Sequence, residues 1–400
     1  MLIGVVFVFS QERTDKVGFE PLMLVAEVNP VAEGISPQDY EDEDFDTEQQ
    51  KLAPEIVKAV YLTGWSAGRE SKINYVINLA KTTEINAVVI DIKDYSGYVA
   101  YDTKVPEVVQ YKAKQIKIPN IDLLLQRLHQ EGIYVIARIA VFQDPVLARA
   151  RPDLAIYRKY GLSSFLSLLA AFSFWLDNLK LAWVDPSSQE VWDYNIAIAR
   201  DAADLGFDEI NFDYIRFPSD GDLKAMGFPF WKKEVPRSQV IKEFFKELRR
   251  ELPDVKISAD LFGLTTINYD DLGVGQIIED AFESFDYICP MVYPSHYARG
   301  FLGYQNPAYY PYEVVEYSME RARERLDIYK QINETEDKKI AAQLRPWLQD
   351  FNLGAAYTPQ MVRKEIDAVY NALGENFKGF MMWNPSSIYQ RGALQPAGLE

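Results

Sequence analysis

Eight apolar, strand-like segments alternate with amphipathic helical segments along this chain, and the alternation restricts its fold more than any other feature. Strand–helix repeats in one direction predict a parallel sheet whose crossovers are helices. Eight such units are expected to close into a (β/α)8 TIM barrel. The predicted strands cover residues 57–63, 87–93, 134–142, 207–213, 256–262, 285–293, 340–345 and 379–383.

A doubly wound open sheet is the competing α/β architecture. It would need a glycine-rich phosphate loop after its first strand, with the spacing G-x-G-x-x-G. The segment after the first predicted strand, Gly64-Trp-Ser-Ala-Gly68, has a different spacing. The barrel is therefore the better prediction.

The first 54 residues lack the strand–helix alternation. Residues 1–10 contain an apolar run that is too short to span a bilayer and lacks a basic start, so we interpret it as the remnant of a signal peptide or membrane anchor. Residues 11–54 include seven acidic and no basic side chains between Asp39 and Glu48, which is typical of a disordered, solvated linker. We expect an extracytoplasmic protein, secreted or membrane-anchored, whose barrel occupies residues 55–400.

Composition and charge exclude several classes of function. A net charge of −17 makes the chain a poor candidate for binding nucleic acid. Cys289 is the only cysteine, and His129 and His296 are the only histidines, so a multi-histidine zinc site is excluded. With no phosphate loop either, the sequence predicts neither a metal site nor a cofactor.

The segment Phe207-Asp-Glu-Ile-Asn-Phe-Asp-Tyr-Ile-Arg-Phe-Pro218 carries the strongest functional signal. Its Asp213 ends the fourth predicted strand, and barrel enzymes place their chemistry at the carboxyl ends of the strands. Asp260 lies in the fifth strand, roughly 5 Å away across the sheet. Two carboxyl groups at that spacing suit glycoside hydrolysis, with Asp213 as nucleophile or base and Asp260 as acid. Asp91, from the second strand, could be the acid instead.

Other strand-end residues are expected to bind the substrate. Arg138 or Arg216 would keep one carboxylate ionised, and burial would keep the other protonated. Structural roles compete with these functions, because Asp213 could be a plain ion pair and Asp260 a helix cap. The predicted substrate-binding residues are Trp65, Asp94, Arg138, Asn211, Arg216, Tyr293, His296, Gln343 and Trp383.

Three motifs resemble the signature of the DUF4015 family, a group of predicted bacterial glycoside hydrolases with α-amylase-like TIM barrels. They are Trp183-Val-Asp-Pro186, Val191-Trp-Asp-Tyr-Asn195 and residues 207–218, and the resemblance spans about residues 57–387. In amylase-like barrels the nucleophile is an Asp that ends strand four, the acid is a Glu that ends strand five, and a further Asp ends strand seven. Asp213 matches the first of these roles.

The other two amylase-like roles are not matched in the same way. Asp260 has the position of the acid but is Asp, and the seventh predicted strand offers Gln343 and Arg345 where an acid is expected. The chain is therefore not an ordinary α-amylase.

The sequence predicts a glycosidase that cleaves O-glycosidic bonds of a polysaccharide. Two alternatives stay open at this point: a non-catalytic carbohydrate-binding barrel of the cell envelope, and a glycan transferase or lyase. Each would use the same strand-end aromatic and acidic residues.

Overall fold

A computed structural model describes residues 54–159, 173–335 and 339–398, together with the backbone of residues 2–3 and 25–26. Those two short segments pair antiparallel, Leu2 with Ala26 and Ile3 with Val25. The anchor predicted for residues 1–10 and the acidic linker predicted for residues 11–54 lie almost wholly outside the described residues, so both stay predictions.

Eight parallel strands close into a barrel, which confirms the predicted (β/α)8 TIM fold. Each strand pairs with the next along the chain, and the eighth pairs with the first. Between the fifth and sixth strands, Ser258 pairs with Tyr287 at one end and Phe262 pairs with Met291 at the other. The strands are β1 Val57–Leu62, β2 Ala87–Lys93, β3 Tyr134–Ala140, β4 Glu209–Asp213, β5 Ile257–Phe262, β6 Tyr287–Met291, β7 Gln343–Leu344 with Trp347–Gln349, and β8 Gly379–Trp383.

Helices lie between the strands and cover the outside of the barrel. In the helix Ile121–Gln130, the Asn120 side chain accepts a hydrogen bond from the Leu123 backbone N–H, which caps the amino end. Gly132, with a φ of 71°, follows the carboxyl end. Within the described residues, none of the helices is both long and apolar enough to cross a membrane. The helices are α1 Gly64–Ala67, α2 Glu70–Thr82, α3 Pro106–Gln110, α4 Ile121–Gln130, α5 Pro145–Ala150, α6 Gln189–Asp204, α7 Arg237–Glu251, α8 Ile278–Ala281, α9 Pro311–Asn333 and α10 Pro359–Leu373.

Strand β7 differs from its prediction. It begins at Gln343 and is interrupted at Arg345-Pro346, since proline has no backbone N–H to donate, and it resumes over Trp347–Gln349. The strand therefore ends four residues later than predicted. An acidic residue, Asp350, does follow its end, but the carboxylate accepts hydrogen bonds from Gln390 and does not line the cavity described below.

Alternate residues of the strands fill the barrel interior. Val57, Ala59 and Tyr61 of β1 pack there, as the two-residue period of a strand requires. Cys289 of β6 is fully buried in the same cluster, so it acts as a small core residue.

A buried ion pair also lies inside the barrel. The Arg345 guanidinium donates to the Glu209 carboxylate, and both side chains are fully buried. Glu209 accepts a second hydrogen bond from the Ser258 hydroxyl at 2.5 Å, and the guanidinium lies 4.0 Å from the centre of the Tyr287 ring. These contacts compensate part of the cost of burying two charges.

Replacing Glu209 by Gln should destabilise the barrel, because it leaves the Arg345 charge buried without its counter-charge. The expected loss in the free energy of unfolding is about 3–5 kcal/mol, measured by urea unfolding followed by tryptophan fluorescence. Glu243→Gln, which removes a partly exposed pair with Lys246, is the control and should change little. Equal unfolding midpoints for the two variants would contradict this account.

Candidate active site

A cavity of about 170 Å³ opens at the carboxyl ends of the strands. It has a carboxyl-rich floor and an aromatic wall, and parts of several βα loops complete it. The predicted residues that line it are Asp91, Arg138, Asp213, Arg216, Asp260, Tyr293, His296 and Trp383.

The Arg138 guanidinium joins the three predicted catalytic carboxyl groups. Its Nη1 donates to Asp91 Oδ1 at 2.5 Å, its Nη2 donates to Asp213 Oδ2, and its Nε lies 3.4 Å from Asp260 Oδ2. Asp213 and Asp260 lie on the adjacent strands β4 and β5, one position beyond the paired residues Phe212 and Ala259. Neighbouring strands are about 4.8 Å apart, so the register brings the two carboxyl groups close together.

Asp260 is the most enclosed of the three acids, with about 1% of its surface exposed. Its Oδ1 accepts hydrogen bonds from the Asn211 amide at 2.8 Å and from the Trp347 indole at 2.7 Å. Burial, followed by the negative charge of Asp213, raises the pKa of Asp260 to about 8 despite these donors and Arg138. Asp260 is therefore protonated at neutral pH and can act as a general acid.

Asp213 has a different environment. Besides the contact with Arg138, its Oδ1 accepts a hydrogen bond from the backbone N–H of Tyr214 at 2.5 Å. Tyr214 has a φ of 54°, in the left-handed region that a tyrosine rarely adopts, and this turn directs its N–H back onto the carboxylate. Each oxygen of the Asp213 carboxyl group therefore accepts a hydrogen bond, one from a guanidinium and one from a backbone N–H.

Asp91 is held on both oxygens. Oδ1 accepts from Arg138, and Oδ2 accepts from the Tyr61 hydroxyl at 2.5 Å. Burial is the main cause that raises the pKa of Asp91, and Arg138 opposes it. With two short donor contacts, Asp91 fixes the position of Arg138 and is a weaker candidate for the acid than Asp260.

Aromatic side chains form the opposite wall of the cavity. The Trp383 ring lies at the centre of this group, 5.3 Å from the Phe351 ring, 6.0 Å from that of Tyr61 and 6.1 Å from that of Tyr293. Burial lowers the pKa of His296 to about 3, so its imidazole is neutral at physiological pH. Aromatic faces and neutral polar groups are suited to binding a sugar ring.

The remaining predicted site residues lie outside the cavity wall. Asn211 lies beneath the floor and holds Asp260, Asp94 forms an ion pair with Lys117, and Trp65 projects from α1 with 42% of its surface exposed. Gln343, at the start of β7, pairs with Tyr287 at the opposite end of the barrel. The structure therefore does not bring Gln343 to the site.

Sequence reasoning assigned no role to two residues that complete the site. Tyr61, which binds Asp91, is the last inward-facing position of β1, so the two-residue period of the strand could have identified it. Asp177, also in the cavity wall, lies in an irregular segment after α5 and has no comparable signal.

Comparison with known proteins defines the class of the protein. The sequence matches the DUF4015 family, described as "Putative glycosyl hydrolase domain", over residues 59–389. The chain belongs to this family, as the three motifs indicated. Membership places it among the glycosidase-like, carbohydrate-active enzymes. No curated protein matches the sequence.

Solved structures share parts of this architecture. A hypothetical protein from Ruminiclostridium thermocellum ATCC 27405 is 38% identical, with a TM-score of 0.45 over 54% of this chain and 98% of that one. The PgaB (BpsB) glycoside hydrolase domain of Bordetella bronchiseptica is 12% identical, with a TM-score of 0.55 over 85% and 99% of the two chains. α-L-Fucosidase isoenzyme 2 of Paenibacillus thiaminolyticus is 11% identical, with a TM-score of 0.50 over 84% and 48%. The last two indicate a common fold.

We expect Asp260 to titrate near pH 8, far above a normal aspartate, because it is buried beside a second carboxyl group. The measurement is the side-chain carboxyl signal of ¹³C-labelled aspartate by NMR, identified by its loss in Asp260→Asn. Asp213→Asn should lower this pKa, because it removes a repelling charge. The control is Asp208→Asn, at the other end of β4, which should leave it unchanged. A transition near pH 4 in the wild-type protein would contradict the prediction.

Proposed function

We propose that the protein is a retaining glycoside hydrolase that cleaves O-glycosidic bonds of a polysaccharide outside the cytoplasm. The observation that carries this proposal is the pair Asp213 and Asp260, which lie on adjacent strands and contact one guanidinium. Retaining glycosidases place their two carboxyl groups about 5–5.5 Å apart, whereas inverting enzymes leave about 6.5–9.5 Å for a water molecule. Adjacent strands, about 4.8 Å apart, favour the shorter spacing.

The different environments of the two acids assign their roles. Asp213, ionised beside Arg138, attacks the anomeric carbon as the bond to the leaving oxygen breaks, and Asp260 gives its proton to that oxygen. Asp260, now ionised, then takes a proton from the water that hydrolyses the glycosyl ester. Arg138 and Asn211 keep the two carboxyl groups in place during both steps, and the Trp383 ring is suited to stack against the sugar.

A purely binding barrel is less well supported. It would need no acid with a raised pKa, and widely separated carboxyl groups would have favoured it, whereas here Arg138 contacts both Asp213 and Asp260. Glycan transfer is chemically close to the proposed reaction, since an acceptor sugar can replace water in the second step. Products formed with and without an added acceptor distinguish transfer from hydrolysis.

Asp213→Asn should reduce turnover by a factor on the order of 10⁴, because the amide cannot form the glycosyl ester. The assay is a screen of the purified protein against bacterial envelope and matrix polysaccharides, with the release of reducing ends as the readout. Asp208→Asn, immediately before the same strand, is a matched control, and it should keep wild-type activity. Undiminished activity of Asp213→Asn would exclude Asp213 as the nucleophile.

The first product should keep the anomeric configuration of the substrate, because two displacements occur at the same carbon. Proton NMR of the anomeric region during early hydrolysis, before mutarotation, measures this configuration. An inverted first product would show that water attacks directly. Asp213 would then be a base rather than a nucleophile.

A further inference from the structure

Arg216 lies in the cavity wall three residues after Asp213, with only about 5% of its surface exposed. Three aromatic rings surround its guanidinium, whose carbon lies 4.6 Å from the centre of the Phe262 ring, 5.0 Å from that of Trp183 and 5.5 Å from that of Tyr214. Stacking on aromatic faces fixes the plane of an arginine while its edges stay available for hydrogen bonds.

Among the described residues, hydrogen-bond acceptors contact only one edge of this guanidinium. Nη1 donates to the Phe217 carbonyl and to the Ser219 hydroxyl, each at 3.1 Å. Nε and Nη2 have no hydrogen-bond acceptor among the described residues. None of the carboxylates of the described residues lies within 4.0 Å of the guanidinium. The side-on fork of Nε and Nη2 matches the two oxygens of a carboxylate.

Arg216 differs from the two other arginines at the barrel centre because they form ion pairs with carboxylates and it forms none among the described residues. Arg138 contacts three carboxyl groups and Arg345 pairs with Glu209. A buried cation normally has such a partner, because burial without one is costly. Burial lowers the pKa of Arg216, and the acidic groups around it only partly oppose this effect.

The nearest acidic groups are engaged elsewhere. Asp213 accepts from Arg138 and from a backbone N–H, and Asp177 accepts three hydrogen bonds from neutral donors. Asp220 accepts a hydrogen bond from the Asn178 backbone. Since Arg216 also lines the cavity, a ligand in the cavity can contact its guanidinium.

We infer that Arg216 binds the carboxylate of an acidic sugar in the substrate, a uronic acid next to the sugar whose bond is cleaved. The inference rests on the proposed function, because it takes the cavity to be a glycan site. The net charge of −17 would repel a polymer that is acidic at every residue. The fitting substrate is therefore a mostly neutral polysaccharide that contains isolated uronic acids.

The test uses matched pairs of oligosaccharides, one with a uronic acid and one with that carboxylate reduced to an alcohol. Binding is measured by calorimetry in an Asp260→Asn background, which blocks turnover and keeps Arg216. In at least one pair, the acidic member should bind about ten- to a hundredfold more tightly than its reduced partner. Added salt should weaken this preference. Equal or tighter binding of the neutral members, or no binding of any acidic member, would overturn the inference.

Variants of Arg216 test whether this side chain causes the preference. Arg216→Gln should abolish it, and Arg216→Lys should keep only a small part of it, because lysine retains the charge but not the fork. Thermal melting checks that both variants fold. If they do not, the comparison of matched oligosaccharides in Asp260→Asn, which keeps Arg216, still tests the inference. A full preference in folded Arg216→Gln would overturn the assignment.

Hydrolysis by the wild-type protein, assayed separately, distinguishes this inference from the proposed function. An acidic preference in binding without any cleavage would contradict the hydrolase and leave the Arg216 site intact. Cleavage of neutral glycans without any acidic preference in binding would contradict the Arg216 site alone.

Discussion

The contacts of Arg138 with three carboxyl groups are the interaction on which the floor of the barrel mouth depends. Three ionised carboxylates so close together, each with 6% or less of its surface exposed, would repel one another strongly. One guanidinium offsets part of this repulsion, and the proton held by Asp260 offsets a further part. Burial and the negative charge of Asp213 raise the pKa of Asp260 far above that of an ordinary aspartate.

Polar contacts connect this floor to the middle of the barrel. Asn211 donates to Asp260 and to Ser258, Ser258 donates to Glu209, and Glu209 accepts from Arg345. Each link is buried, and each hydrogen bond restricts the positions of the two groups that it joins. The side chain of Asp260 is therefore positioned by residues of the barrel strands.

Much of this arrangement could be predicted from the sequence, because barrel strands and their ends follow from hydrophobic patterns and from the two-residue period of a strand. The pattern located Asp213, Asp260 and Arg138 on their strands. It could not show that β7 continues beyond Pro346, because a proline usually ends a strand. Nor could it show the irregularity after Asp91, where the strand register shifts so that Lys93 pairs with Ile139 of β3.

The contacts that Arg216 makes with distant segments of the chain could not be predicted from the sequence either. The surroundings of Arg216 come from Trp183, Phe262 and Ser219, which belong to three separate segments. No local pattern indicates that these segments meet. Only the closed barrel brings them together at one end.

The left-handed turn at Tyr214 links the Asp213 carboxylate to the segment that carries Arg216. A tyrosine in that conformation costs about 1–2 kcal/mol, which a glycine would not incur. A glycine would also give the backbone more freedom next to Asp213, and Arg216 follows only two residues later. The strained residue thus fixes Asp213, the proposed nucleophile, and Arg216, the proposed carboxylate-binding residue, relative to each other, so that both proposed roles would change together if this turn relaxed.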